Sequence, residues 1–507
     1  MPLGKSFRRM LAWVLLACLL AAGSAPRLTH AVEFDVTLSP DAAQQAVGGR
    51  LFVMLSTKDS GEPRFGPNWF NPEPFAGLNI KGCQPGGTVR VDDAADGFPG
   101  PLSELAPGKY RVQAVLDHDI YSQHPARGVG NYYSQVVEFE QPEEAAGNGP
   151  LVALLLDQTV AAQPFEEGQY VREVEFISKL LSDFYGREFV DRCGVVLPKG
   201  YDDDPQRSYP VIYSIPGFSG THRDALRYAD GPPEPGEGET EFIRVMLSGN
   251  CKQGHHVFAD SPTNGPRGQS LISELIPLID QRFRTVAQPT ARFVMGHSSG
   301  GWASLWVQVA YPETFGGVWS LSPDPVDFRD WQQVDLYASP PQSVFTDADG
   351  QRRPIARRGE TPVLWYDAFC KMDDALGRGG QLRSFEAVFS PLGDDGQPLR
   401  AWDRVTGTVH PDVIKAWEAY DIRLKLERNW PRLGPRLAGK LHIITGELDT
   451  FYLEGAVRQL AGTLKELGSD AEIEILPGQD HGSLLTPQLY SRIRREMTTA
   501  YREKHGE

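Results

Sequence analysis

Residues 296–300 read Gly-His-Ser-Ser-Gly. This G-x-S-x-G spacing sets a serine on a sharp strand-to-helix turn with its hydroxyl exposed. Glycine is needed at both ends because a Cβ there would strike the neighbouring strand or helix. Five letters alone are a weak signal, but their context is specific. The apolar run Arg292-Phe293-Val294-Met295 precedes them, and residues 302–310 then place apolar side chains at helical spacing. Ser298 is therefore the candidate nucleophile, with Gly296, His297 and Gly300 shaping the turn around it.

A serine hydroxyl is a poor nucleophile at neutral pH, so it needs a base and a third group to hold that base. In α/β-hydrolases these follow in the order serine, acid, histidine. Asp449 stands just past the apolar run 441–446, and His481 stands on the loop after the run 472–476. The other ten histidines lack that combination. His30 falls in the N-terminal leader, His118 and His124 in the β-rich region, His442 inside a strand and His505 at the C-terminus. His297 is the motif's own variable position, and His222, His255, His256 and His410 precede the acid. Glu447 and Asp480 compete with Asp449, but Asp480 adjoins His481 and cannot easily curl back to its ring. The oxyanion needs two backbone N–H donors. One is read as Ser299. The other is read as Phe218 or Gly217, in the loop Pro216-Gly217-Phe218-Ser219-Gly220, and the sequence does not separate them.

The elements that must position these residues fall into two regimes. Residues 32–38 alternate apolar and polar strictly, as a half-buried strand does. Similar runs at 51–56, 87–92, 109–116, 134–140 and 151–157 are separated by glycine and proline turns. Residues 32–162 are expected to form an immunoglobulin-like β-sandwich. From 163 to 507, strands expected at 193–197, 210–215, 255–259, 292–296, 316–321, 440–445 and 471–476 alternate with helices at 268–283, 301–311, 454–467 and 486–503. Such alternation implies an α/β fold, a mostly parallel sheet covered by helices on both faces. Residues 325–437 break the rhythm and are read as a cap over the carboxyl ends of the strands, where α/β folds bind ligands. An inert elaboration or a partner surface is the alternative.

Residues 1–31 combine a basic start, an apolar core and small residues, the pattern of a secretory signal peptide cleaved after Ala31 or Ala25. A secreted or periplasmic protein is expected, with lipid anchoring at Cys18 a lesser alternative. No further stretch is long enough to span a membrane. The formal net charge is −16, and the leader carries four bases and no acid, so the mature chain is more acidic still. That argues against nucleic acid and anionic membranes as partners. Cys83, Cys193, Cys251 and Cys370 do not have zinc-site spacing. Cys193 and Cys251 could pair, or all four could be buried thiols. No metal or organic cofactor is needed. Asp117, His118, Asp119 and His124 read more readily as a solvated turn than as a metal site.

Residues from about 165 to 325 and 437 to 500, leaving out the β-rich region and the cap, resemble the putative esterase family of α/β-hydrolases, which includes enterochelin esterases, S-formylglutathione hydrolases and feruloyl esterases. The likeness runs through residues 195–202, 209–220, 259–266, 274–280 and 296–301, then Gly446-Glu447-Leu448-Asp449 and Asp480-His481. It implies Ser298 as nucleophile, Asp449 as acid and His481 as base. Many relatives carry His-Gly where this chain has Pro216-Gly217. A serine carboxylic-ester hydrolase acting on a small-molecule or polysaccharide-linked ester is the expected function. An acyltransferase to a sugar or other alcohol, and a non-catalytic binding protein, are the alternatives. Oligomeric state is not legible.

Overall fold

The computed structural model describes residues 31–143 and 149–506. The leader read over residues 1–31, apart from Ala31, lies outside the described residues.

The N-terminal unit contains nine strands: β1 (Glu33–Leu38), β2 (Val47–Ser56), β3 (Phe75–Cys83), β4 (Thr88–Val91), β5 (Asp96–Phe98), β6 (Gly108–Asp117), β7 (Tyr132–Ser134), β8 (Val137–Gln141) and β9 (Leu151–Thr159). They join in the order β4-β1-β9-β7-β6-β2-β3-β5, with β8 also on β6. A sandwich of two separate sheets was the expectation; the hydrogen bonds instead form one sheet, because short β7 pairs with both β6 and β9. The two ends of that sheet still enclose a common core. Phe34 and Val36 of β1 and Leu154 and Leu156 of β9 cluster with Leu51, Val53 and Leu55 of β2 and Val112 and Ala114 of β6.

Strand β2 is buried on both faces. The period of two sends Leu51, Val53 and Leu55 into that core, and Phe52 and Met54 the opposite way. Phe52 and Met54, with Phe75, Phe98 and Val115, join the main core of the second unit. Buried Arg50 crosses the same boundary, its Nη2 donating to the carbonyl of Ala375 at 2.7 Å and to Asp96 at 2.7 Å. Lys252 pairs with buried Asp117 at 2.6 Å. The two units are fused through packed side chains.

The second unit is built on eight strands: β10 (Val171–Ile177), β11 (Val190–Val196), β12 (Val211–Ile215), β13 (Ile243–Met246), β14 (Arg292–His297), β15 (Gly317–Leu321), β16 (Leu441–Gly446) and β17 (Glu472–Leu476). Their order is β10-β11-β13-β12-β14-β15-β16-β17. Only β11 runs against its neighbours; from β13 onward every pairing is parallel. Helices α1 (Lys179–Tyr185), α2 (267–282), α3 (Ser299–Ala310), α4 (Tyr366–Leu376), α5 (Gln381–Phe389), α6 (Pro411–Trp417), α7 (Ile422–Leu437), α8 (Glu454–Glu466) and α9 (Pro487–His505) accompany it. Alternate residues again face opposite layers. Val294 and Val318 pack with Trp302 and Leu305 of α3, whereas Phe293, Met295 and Trp319 pack with Ile493 and Met497 of α9. A parallel sheet with one reversed strand, buried between helical layers, is the α/β-hydrolase fold.

One expected strand is misplaced in sequence. Residues 255–259 make only a two-residue bridge (Gly254–His255 with Asn250–Cys251) and then a turn with Val257 and Phe258 at φ 44° and 52°. The strand beside β12 is β13, twelve residues earlier in the chain. It is only four residues long, and the proline- and glycine-rich stretch before it hides its pattern. Strands β3, β5 and β10 were likewise not anticipated. Between β15 and β16 the chain forms a hairpin (Pro354–Arg358 with Thr361–Trp365) and helices α4–α7. All four cysteines of the described residues are buried free thiols. No helix among the described residues is long and apolar enough to cross a membrane.

Phe52→Ala should leave a cavity at the junction of the two units. We expect a loss of about 3–5 kcal/mol of unfolding free energy, measured by chemical denaturation. A loss below about 0.5 kcal/mol would contradict the shared core.

Candidate active site

Ser298 stands between β14 and α3 with φ 62° and ψ −126°, a conformation that L-residues avoid. Such strain costs about 1–3 kcal/mol and persists only where the surroundings impose it. They do so here. A Cβ on Gly296 would lie 2.1 Å from the carbonyl oxygen of Gly300, and one on Gly300 would lie 2.1 Å from that of Ile215. The strand, the turn and the loop after β12 are thus in backbone contact. The N–H of Ser298 donates to Leu321 O at 2.9 Å, tying the turn to β15 as well.

The loops after β16 and β17 meet beside it. Asp449 is fully buried, and its Oδ2 lies 2.8 Å from His481 Nδ1. Its Oδ1 accepts from the N–H of Phe451 at 2.9 Å. The two loops are joined by backbone bonds from Glu447 N–H to Leu476 O and from Leu448 N–H to Gln479 O, each 2.9 Å. The competing carboxylates are engaged elsewhere. Glu447 accepts from Gly478 N–H at 3.0 Å, and Asp480 caps its own turn through the N–H groups of Gly482 and Ser483. His297 reaches across from the serine turn, its Nε2–H donating to the carbonyl of His481 at 2.8 Å. The two rings lie 4.4 Å apart. The motif's variable residue therefore seats the histidine loop.

The loop after β12 lies against the serine. A Cβ on Gly217 would meet Ser298 Cβ at 3.4 Å and His297 O at 3.2 Å. Gly217 O accepts from Gly220 N–H at 3.0 Å, closing a tight turn with Ser219 at φ 66°. Ser299 is the first residue of α3, so its N–H has no carbonyl within the helix to pair with. Both groups read from the sequence as oxyanion donors thus lie beside Ser298.

His255 and Asp324 are among the residues near the site that the sequence reading did not assign to it. His255 is buried, its Nε2–H donating to Pro216 O at 2.9 Å and its Nδ1 accepting from Val257 N–H at 3.0 Å. It pins the base of the loop that carries Gly217 and Phe218. Asp324, just past β15, is 5% exposed and accepts from Ser299 Oγ at 2.6 Å and from Gln381 Nε2 at 3.4 Å. Neither sits in a motif; the only signal was the position of Asp324 past a strand end. His118 donates to Gly130 O at 2.8 Å and stacks on Tyr132, engaged within its own unit.

Burial governs the charges here. It pushes His255 and His297 down to about 4, so both are neutral donors at ordinary pH. It raises Asp324 to about 6, against the opposing bond from Ser299 and the charge of His481. For His481, burial is the largest single influence and opposes the charged ring. The carboxylate of Asp449, aided by Asp324 and Asp480, more than offsets it, so the ring titrates above 6.5. Asp449 is correspondingly held below its ordinary value despite its burial, chiefly by the charge of His481 and its hydrogen bond.

Ser298 and His481 open into one cavity of about 480 Å³. The second unit contributes Phe218, Asp324 and Phe451, and the segment between β15 and β16 contributes Ile355, Leu364, Phe369 and Phe385. From that segment Arg357 also holds the acid loop, its Nε donating to Asp449 O at 2.9 Å. The segment therefore shapes the pocket.

Gly300→Ala should destabilise the fold by about 3 kcal/mol or more, because the clash is with backbone. Gly462→Ala, on α8 with nothing within 4 Å of an added Cβ, should be neutral or stabilise by about 0.5–1 kcal/mol. Urea midpoints of the two variants check this; equal midpoints would contradict the crowding.

Residues 192–407 match the family model described as Putative esterase. The match ends before Asp449 and His481. Esterase Rv1288 and Esterase MT1326 of Mycobacterium tuberculosis are each 26% identical over 271 residues, 52% of this chain and 55% of theirs. The chain thus spans about half the length of these relatives. Among solved structures, a ferulic acid esterase is similar with TM-score 0.39 and 14% identity, covering 66% of this chain and 100% of that one. An S-formylglutathione hydrolase from Agrobacterium tumefaciens is similar with TM-score 0.39 and 14% identity, covering 65% and 95%. By the family match, the stretch that carries Ser298 is similar to the Putative esterase family over residues 192–407.

Proposed function

We propose that this protein is an exported serine carboxylic-ester hydrolase. The observation that carries the reading is that His481, paired with buried Asp449, and Ser298 line one pocket at the carboxyl ends of the parallel strands. Ser298 Oγ attacks the ester carbonyl while His481 Nε2 takes its proton. Asp449 holds the ring by Nδ1–H and stabilises the imidazolium that forms. The negative charge on the carbonyl oxygen is met by the N–H of Ser299 and an N–H of the Gly217–Phe218 loop. The imidazolium then protonates the leaving alcohol, and an acyl-enzyme remains. Water, deprotonated by His481, attacks the acyl carbon and releases the acid and the serine. The apolar lining suits a small-molecule ester, free or linked to a polysaccharide. Export is inferred from the leader alone, and the intact mass of the secreted protein, lacking residues 1–31, checks it.

Ser298→Ala should reduce kcat on p-nitrophenyl acetate by about 10⁴-fold or more while leaving the circular dichroism spectrum unchanged. Undiminished turnover would reject the reading. The base must be neutral to accept a proton, so activity should fall as pH drops through the raised pKa of His481, an acid limb centred above 6.5. Asp449→Asn removes the carboxylate that holds that pKa up. Its limb should move to lower pH while kcat falls about 10⁴-fold; a pH–rate profile measures both.

A further inference from the structure

The N-terminal unit reaches into the pocket. Gly66, Pro67 and Trp69, between β2 and β3, and Gln123, His124 and Pro125, between β6 and β7, line the cavity that holds Ser298 and His481. Trp69 is the pivot. Its ring lies 5.4 Å from Phe218 on the oxyanion loop, 5.1 Å from Phe369 on α4, and 6.2 Å from Phe451 on the acid loop. One indole thus touches the three separate segments that surround the reacting atoms.

This wall is built rigidly. Arg64, 8% exposed, ties its two loops together: the guanidinium lies 3.9 Å over the ring of Tyr133, and its Nη1 donates to Ala126 O at 3.0 Å. Its backbone N–H donates to Gln113 on β6 at 3.2 Å. The backbone N–H of Gln123 donates to Asn250 of the second unit at 3.3 Å. Arg50 and Lys252 lock the units together behind it. The wall presents no charge, since burial pushes His124 down to about 4. Packed aromatic rings define a fixed boundary, and a side chain at such a boundary limits what fits, because an extra methylene without room costs about 10–200-fold in kcat/KM.

We propose that Trp69 is a specificity-determining residue that sets the size of the apolar group the site admits, so that the N-terminal unit is a wall of the substrate pocket. The inference rests on the ester-hydrolase reading and concerns esters with a compact apolar group on the side facing the indole.

The test compares wild type and Trp69→Ala on two series: p-nitrophenyl esters from acetate to octanoate, and acetyl esters of alcohols of rising size. The ratio of kcat/KM for the large over the small member should rise at least about 10-fold in one series, while the acid limb of the pH profile stays in place. A tryptophan that only supported the fold would lower all substrates by one factor, and ratios unchanged in both series overturn the proposal. Should Trp69→Ala fail to fold, Trp69→Phe carries the test, with a shift in the same direction expected and an unchanged ratio overturning it. Ser298→Ala is assayed alongside. If it abolishes turnover while the ratios do not move, the wall is wrong and the hydrolase reading stands. If turnover survives in it, both fall.

Discussion

A backbone that L-residues avoid is held at Ser298 because three main-chain segments meet there with no side chain between them. That constraint organises the remainder. β14 must end at residue 297 and α3 must begin at 299, so the hydroxyl stands at the carboxyl edge of the sheet. The parallel strands then deliver four further loops to the same edge: 216–220 after β12, 322–325 after β15, 447–453 after β16 and 477–483 after β17. Parallel strands present all their carboxyl ends on one side, so residues nearly two hundred positions apart share one small volume.

Burial decides the electrostatics of that volume. Each imidazole without a carboxylate against it (His255, His297, and His124 in the wall) is driven neutral and works as a fixed hydrogen-bond donor or acceptor. Only His481, 2.8 Å from buried Asp449, is held above 6.5. The contrast between one paired ring and several unpaired ones singles out the titrating group more sharply than any single value. Asp324, raised to about 6 beside Ser299, is a second group of this volume, after the His481 ring, whose charge can change near neutrality.

The N-terminal unit is part of this arrangement. β2 serves two cores because it is buried on both faces, and the segment after it carries Trp69 into the pocket. A strand with a polar outer face would have left a tethered module. The continuous apolar run Leu51-Phe52-Val53-Met54-Leu55 is the sequence trace of that difference, yet apolarity on both faces does not say which partner covers the second one.

What the chain alone determined is local. The glycine spacing around Ser298 admits a single kind of turn, and the apolar runs ahead of Asp449 and His481 place both just past strand ends, because steric limits and side-chain periodicity act within a few residues. Four-residue β13 was lost because so short a strand carries almost no period. His255, Asp324, Gln381 and Trp69 could not be found in the sequence, since each matters only through what lies beside it after folding. The tertiary structure alone decided that Asp449, not Glu447 or Asp480, meets the histidine, that Pro216 is pinned by His255, and that a β-rich unit walls the pocket. Those outcomes follow from long-range packing and desolvation, which depend on distances in space that no local pattern of residues encodes.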